Sequence, residues 1–235
     1  MTSLTAAYDG SAAVWGEGPD RVFGALAGAL LESGPPWQGL DVVDIGAGTA
    51  TATRRLLAGG ARVVPVDASV EMLAVARRIC GCHPVVGDAL DLPLRTDAAD
   101  AAVLGFVLNH LEQPAVALRE AARVVRPGGW VLASTWARDK DQPVRELVQQ
   151  TLQRRGWTAP RWYTLLKDRT TPLSDTAEAL GRVAHASGLI DLECERVEIA
   201  VAASAHEQLA WRLGMPHTAP FVAALTPAER SDLWS

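Results

Sequence analysis

Through the middle of the chain, short apolar runs alternate with stretches whose apolar residues recur at helical spacing. Val42-Val43, Ala61 to Val66, Pro84 to Asp88, Ala101 to Leu108 and Trp130 to Trp136 read as five strands of a sheet covered on both faces. Helices fill the intervals. Thr49 to Leu57 follows the first strand, and Ser69-Val70-Glu71-Met72-Leu73 opens a helix after the second. Pro114 to about Val125 carries Val116, Leu118, Ala121, Ala122 and Val125 on one side. Arg126-Pro127-Gly128-Gly129 predicts a helix stop and turn before the fifth strand. Repeated βα units with short connections imply right-handed crossovers and a doubly wound, mostly parallel α/β sheet.

The flanks differ. Residues 1 to 20 are small, polar and glycine-spotted, and read as an arm. Its Tyr8 and Trp15 either dock on the protein's own surface or close over a bound ligand. Asp20 is expected to cap a helix from Arg21 to Leu31, which Ser33-Gly34-Pro35-Pro36 ends. Beyond Ala137 the pattern loosens. Helices are expected over Val144 to Arg155, Thr176 to Ser187, His206 to Leu213 and Thr226 to Trp234. Gly156 to Asp168 reads as irregular, and the alternating Leu192 to Val201 as a sixth strand. This is a single domain in three parts: an arm and helix over 1–36, a core over 37–136, and a lid with the sixth strand over 137–235.

Composition narrows the class. The formal net charge is −5 and no basic run appears, which argues against a nucleic-acid partner. No apolar run is long enough to span a bilayer, and MTSLTAAYDG does not read as a signal peptide. Three cysteines without framework spacing suit a reducing cytoplasm. Cys80-Gly81-Cys82-His83 lacks the second ligand pair of a zinc site, and Asp139 and Asp141 read as caps, so no metal is expected. Abundant arginine and alanine with only Lys140 and Lys167 look like a GC-rich bacterial codon bias.

The chemistry begins at DVVDIGAGTATATRRLL, residues 41 to 57. Glycine lets backbone approach a ligand, and the helix that follows presents unpaired N–H groups. Thr51 stands where the dinucleotide fingerprint has its last glycine, and Asp44 would repel a pyrophosphate. Both discourage a nicotinamide-dependent oxidoreductase. S-adenosylmethionine, with an ammonium, a sulfonium and one carboxylate, suits the acid better. Asp67 lies about 20 residues past the turn, where a ribose-binding carboxylate belongs, although helix capping is the alternative. Asp88 and Ala89 close the third strand, and the Asp88 carboxylate can accept from an adenine amino group.

The segments VVDIGAGTA, VVPVDASVEML, VVGDALDLPL, the FVLNHLEQP region and REAARVVRPGGWVLAST come in one order and spacing from Asp41 to Trp136. In these the chain resembles the class I S-adenosylmethionine-dependent methyltransferases, in particular the small-molecule subgroup known as methyltransferase domain 11. The resemblance implies strand order 3-2-1-4-5-7-6 with the seventh strand antiparallel. It implies that Asp44 and the Gly46, Ala47, Gly48 and Thr49 turn hold the methionine portion of the cofactor. Asp67 and Ala68 would bind the ribose, Met72 would pack on the nucleoside, Asp88 and Ala89 would meet the adenine edge, and Phe106 would line the acceptor pocket.

Two departures stand out. Ala50 replaces a usual third glycine of the turn, and no seventh strand follows Thr226 to Trp234. An open sheet edge would give two copies a reason to pair as a homodimer. The expected function is methyl transfer to an oxygen, nitrogen or carbon of a small, fairly apolar metabolite, by family habit one of bacterial secondary metabolism. The alternative is a cofactor-binding protein that does not methylate, cyclase-like or regulatory. His110, just past the fourth strand, is the candidate base if the acceptor is a hydroxyl, beside a reading as a loop-orienting residue; His185, His206 and His217 are weaker candidates. Tyr8, Trp15, Trp136, Trp162 and Tyr163 are candidate acceptor-binding aromatics, with Trp157 a further candidate for an aromatic wall facing the sulfonium. The chain lacks the Pro-Pro-aromatic run expected of a nucleic-acid methyltransferase.

Overall fold

A computed structural model describes residues 4–16, 18–138 and 143–234. Five parallel strands form one sheet in the order β3-β2-β1-β4-β5: β1 Asp41–Ile45, β2 Arg62–Asp67, β3 Val85–Val86, β4 Ala99–Gly105 and β5 Val125–Ser134. Helices α4 Thr51–Ala58, α5 Val70–Cys80 and α6 Pro114–Val124 make the crossovers. Strand side chains alternate between two cores. Val43, Ile45, Ala102 and Leu104 pack toward α6, while Val42, Ala101 and Val103 pack with Leu56 of α4 and Leu31 of the N-terminal helix. Burial on both faces is why these strands read as continuous apolar runs. Each fully buried aliphatic there contributes roughly 1.5–3 kcal/mol.

The arm folds as α1 Leu4–Asp9 and α2 Ala12–Trp15, followed by α3 Pro19–Glu32. The N-cap of α3 is Gly18, not Asp20. Asp20 sits in the first turn and reaches across to Thr51 Oγ1 and to Arg54 Nη2, at 2.5 and 2.6 Å. Asp20 lies two residues past the cap, where an acid is favoured by the same helix-end partial charge that a capping side chain answers. Ser69, not Asp67, caps α5, accepting the Met72 N–H at 3.1 Å. β5 begins five residues earlier than Trp130, because the Pro127-Gly128-Gly129 turn is absorbed as an irregularity in the β4–β5 register, with Gly128 at φ +80°.

Beyond β5 come α7 Pro143–Arg154, α8 Arg161–Leu165, α9 Ala177–Ala186, α10 Ala205–Leu213, α11 Ala219–Ala224 and α12 Pro227–Ser231. The stretch expected to be irregular is so only over Gly156 to Pro160; from Arg161 it is helical, α8 running into a wide helical turn at Leu166–Thr170 and a tight one at Thr171–Leu173. Its aromatic and charged residues hide a helical period. The expected sixth strand does not form; Leu192 to Val201 makes no ladder, and Val197 and Leu192 are exposed. Without a strand beside β5, this segment finds no partner for its backbone. Residues 139–142 lie outside the described residues, and with them Asp139 and Asp141. Cys80 and Cys82 are joined as a disulfide. Among the described residues no helix is long and apolar enough to cross a membrane, and no His/Cys/Asp/Glu cluster could hold a metal ion.

Candidate functional site

The carboxyl ends of the strands open on a cavity of about 580 Å³, closed from above by α1–α3 and by the helices after β5. Its floor is the turn after β1. Gly46 and Ala47 both donate to Val66 O, at 2.7 and 3.0 Å, which fastens the turn to β2. Gly46 is at φ +69°, and a Cβ there would stand 2.1 Å from Val107 Cγ2. A Cβ on Gly48, at φ +53°, would instead meet open space. The first glycine is required by packing and the second by backbone conformation.

Two acids flank this turn. Asp44 is buried at the end of β1, where Oδ2 accepts from Thr53 Oγ1 at 2.5 Å. Burial raises its pKa to about 6 against the pull of that bond. Asp67 at the end of β2 accepts from Gly48 N and Ser69 N, each at 2.8 Å, and desolvation again pushes it upward. Asp88 follows β3, with Oδ1 accepting from Leu90 N at 2.9 Å. Thr49 Oγ1 is buried without a partner beside them.

The aromatic wall crosses the opposite side. Phe106, held at φ +59°, meets Phe23 edge-on at 5.3 Å and Trp136 at 4.9 Å between centroids; Trp136 in turn stacks on Trp211 at 5.9 Å. Such pairs add about 0.5–1.5 kcal/mol beyond their buried area. Trp15 packs against Met72 and rings with Tyr8 and Phe23, so it both docks the arm and lines the cavity. Tyr8 reaches His110, with 3.1 Å between the hydroxyl and Nε2. Burial lowers the His110 pKa to about 4 and drives the Tyr8 phenol upward. The imidazole is therefore neutral at pH 7, with Nδ1 buried and without a partner.

Asp44, Gly46, Ala47, Gly48, Thr49, Asp67, Ala68, Met72, Asp88, Ala89, Phe106, His110, Tyr8, Trp15, Trp136, Trp162 and Tyr163 all line this one cavity. Trp157 does not; it is buried in the lid's own core and donates to His217 O at 3.0 Å. The remaining histidines divide. His217 faces the cavity, stacked on Tyr163 at 3.9 Å, whereas His206 rests on Trp234 and His185 lies on α9 away from it. Sequence reasoning missed Arg145, Lys167, Trp211 and Arg212, which also line it. Lys167 could have been found, because a scarce residue type placed amid aromatics is a signal that codon bias does not explain.

The family model described as a methyltransferase domain matches residues 43–133, the stretch that builds the cavity floor. Residues 43–133 are a class I S-adenosylmethionine-dependent methyltransferase domain. The chain is similar to the demethylmenaquinone methyltransferase of Mycobacterium marinum (strain ATCC BAA-535 / M), 41% identical over 124 residues that cover 52% of this chain and 51% of the relative. It is similar to that of Streptomyces griseus subsp. griseus, 31% identical over 152 residues that cover 64% and 65%. The chain thus spans about half the length of the mycobacterial relatives it matches. A solved chain from the complex of the Haloferax volcanii Trm112 methyltransferase activator shares the fold, with TM-score 0.59 and 22% identity over 88% of this chain and 92% of that one. In the methyltransferase domain the cofactor is S-adenosylmethionine, and the donor set suits it. The acids lie where a cation would sit, the glycine turn leaves room above Gly48, and the orphaned Thr49 hydroxyl offers a contact.

Proposed function

We propose that the protein transfers a methyl group from S-adenosylmethionine to an oxygen, nitrogen or carbon of a small, partly apolar metabolite. The observation that carries this reading is the convergence of the glycine turn, the paired acids Asp44 and Asp67, and an aromatic wall on one cavity. Bound there, the cofactor would supply an electrophilic methyl on a sulfonium that leaves as a neutral thioether. Asp44 and the Gly46–Thr49 backbone would hold its amino-acid end, Asp67 the ribose hydroxyls, Met72 the nucleoside and Asp88 with Ala89 the adenine edge. Phe106 and Trp136 would exclude water and face positive charge with their π systems. Trp15, Trp162 and Tyr163 would shape the acceptor side.

His110 is the base in this reading. With the tyrosine hydroxyl donating to Nε2, that nitrogen carries the ring's lone pair, and withdrawal of Tyr8 with the arm would free it to accept the proton of a substrate hydroxyl. The quinone-type acceptor of the similar demethylmenaquinone methyltransferases is one candidate of the expected kind. The outer edge of β5 would also give two copies a surface on which to pair, which sedimentation velocity would read.

Calorimetric titration with S-adenosylhomocysteine tests the cofactor half. The wild type is expected to bind at micromolar affinity, and Asp67→Ala to lose at least about 1.5 kcal/mol with its charge-assisted hydrogen bonds. A folded wild type that binds nothing would sink the proposal. Labelled-methyl transfer to a metabolite extract tests the rest: binding without any transfer would instead favour the cyclase-like or regulatory reading.

A further inference from the structure

Tyr8 stands where a substrate should stand. Its hydroxyl donates to His110 Nε2 across 3.1 Å, the reach at which a general base meets the proton it removes. Its ring meets the imidazole edge-on, with centroids 5.5 Å apart at 81°, and lies 5.7 Å from Trp15, in a cluster that Phe23 and Met72 complete. Burial keeps the phenol protonated and the imidazole neutral, so one donates and the other accepts. Tyr8 and His110 are 102 positions apart, so the contact comes from docking of the arm and not from local chain geometry. The element that carries Tyr8 is also slight. α1 has six residues, too few to stand without docking. Another of its fastenings is Asp9, whose Oδ1 accepts from Ser69 Oγ at 2.5 Å where α5 begins.

Resting on the methyltransferase reading, we propose that Tyr8 is an internal stand-in for the acceptor: the acceptor is a phenol whose hydroxyl displaces Tyr8 from His110, and the methyl group goes to its oxygen. A phenol repeats both halves of the contact, the hydrogen bond to Nε2 and the edge contact between rings. An aliphatic alcohol repeats only the first, and an arene without a hydroxyl only the second, which leaves the buried nitrogen without a donor. In the reaction His110 Nε2 takes the phenol proton, the oxygen's lone pair forms the bond to the methyl carbon, and the pair of the broken carbon–sulfur bond leaves with sulfur. With no acceptor bound, Tyr8 satisfies the imidazole and plugs the acceptor's place.

The test is calorimetric titration of 1-naphthol and of its methyl ether, 1-methoxynaphthalene, into protein saturated with S-adenosylhomocysteine. Removing an occupant should tighten what it competes with: Tyr8→Ala should bind 1-naphthol at least about tenfold more tightly than the wild type, and Tyr8→Phe, which keeps the ring and loses the hydrogen bond, at least about threefold. Both variants should prefer the naphthol to its ether by about fivefold or more, and adding His110→Phe should erase that preference. Tyr8 variants that bind 1-naphthol no tighter than the wild type, or more weakly, would overturn the proposal, since Tyr8 would then be a wall of the site and not its occupant. Equal binding of naphthol and ether would overturn it too, because a hole that any ring fills does not report a phenol site. Binding of neither probe by any form would do the same. If Tyr8→Ala does not fold, the threefold criterion on Tyr8→Phe decides. If the wild type fails to bind S-adenosylhomocysteine, the cofactor reading falls separately, and the same comparisons on the protein alone decide the phenol site.

Discussion

The floor and the lid of the cavity carry opposite charges, and they are built in opposite ways. The floor acids Asp44 and Asp67 end adjacent parallel strands, and Asp67 is fixed by backbone N–H groups of Gly48 and Ser69. The lid cations Arg145, Lys167 and Arg212 sit on separate helical elements. The strand ends hold charge in a rigid frame, while the lid brings charge together by tertiary docking. That docking runs through the Arg21–Glu207 ion pair between α3 and α10, the Trp136–Trp211 stack, the close approach of Gly18 to the Ala210 backbone, and Ala184 of α9 packed into the sheet's core. A rigid frame tolerates little change and a docked lid tolerates more, so substitutions in the floor should cost most.

Gly46→Ala is the severest test of that contrast. The new Cβ would meet Val107 Cγ2 at 2.1 Å in a left-handed backbone. Overpacking and strain have the same sign, and we expect a loss of about 2–4 kcal/mol of stability by denaturant melting, with S-adenosylhomocysteine binding lost as well. A loss below about 1 kcal/mol would show that Val107 gives way and that the floor is softer than its geometry. Asp44→Asn should separate stability from binding. Removing a buried charge should raise the stability of the free protein at pH 7 by about 1 kcal/mol, and weaken S-adenosylhomocysteine roughly tenfold, about 1.4 kcal/mol. Both quantities falling together would mean that Asp44 acts only through its bond to Thr53.

The contrast also explains what the sequence disclosed. Floor residues are local in sequence: Asp44 and Gly48 are four positions apart, and each strand–turn–helix unit places its own acid at its own carboxyl end. Hydrophobic period and turn chemistry suffice for that, and the family resemblance rests on the same segments. The lid cations are 67 positions apart from first to last, Arg145 to Arg212, and meet only because α7, α8 and α10 pack together. No local pattern encodes such a meeting. The failed sixth strand has a related cause. Alternation from Leu192 to Val201 signals an extended segment, but a strand also needs a partner, and alternation cannot name one.

Acid titration sharpens the comparison within the floor. The folded pKa of His110 is lowered, so between about 6.5 and 4 the unfolded chain binds the extra proton. The stability this represents is fully present above about pH 6.5 and is lost as pH falls toward 4. His217, lowered to about 3, acts in the same direction. Asp44, raised to about 6, acts in the opposite one: below that pH the folded chain binds more protons and is stabilised. In Asp44→Asn one of the opposing contributions is removed, so its stability should fall more steeply with acid than the wild type's. Adding His110→Gln should then flatten the profile by about 1 kcal/mol per pH unit, within the limit of one proton. An unchanged profile would place His110 in contact with solvent, charged and unfit as a neutral base.

Ala50→Gly should change least, and for an informative reason. Ala50 stands at φ +72° just before α4, a left-handed position that costs an alanine about 1–2 kcal/mol, and glycine would relieve that. Glycine would also free the unfolded chain, a loss of about 0.4–1 kcal/mol, and remove a fully buried methyl worth about 0.8 kcal/mol. Relief and losses nearly cancel, so denaturant melting should move by less than about 0.5 kcal/mol, with S-adenosylhomocysteine affinity unchanged. Four residues earlier, at Gly46, strain and crowding add; at Ala50 strain and burial oppose. A stabilisation above about 1 kcal/mol would show that the methyl packs poorly, and an equal loss would show that α4 is anchored through it. Either result would separate the two positions of a turn that a glycine pattern alone treats as equivalent.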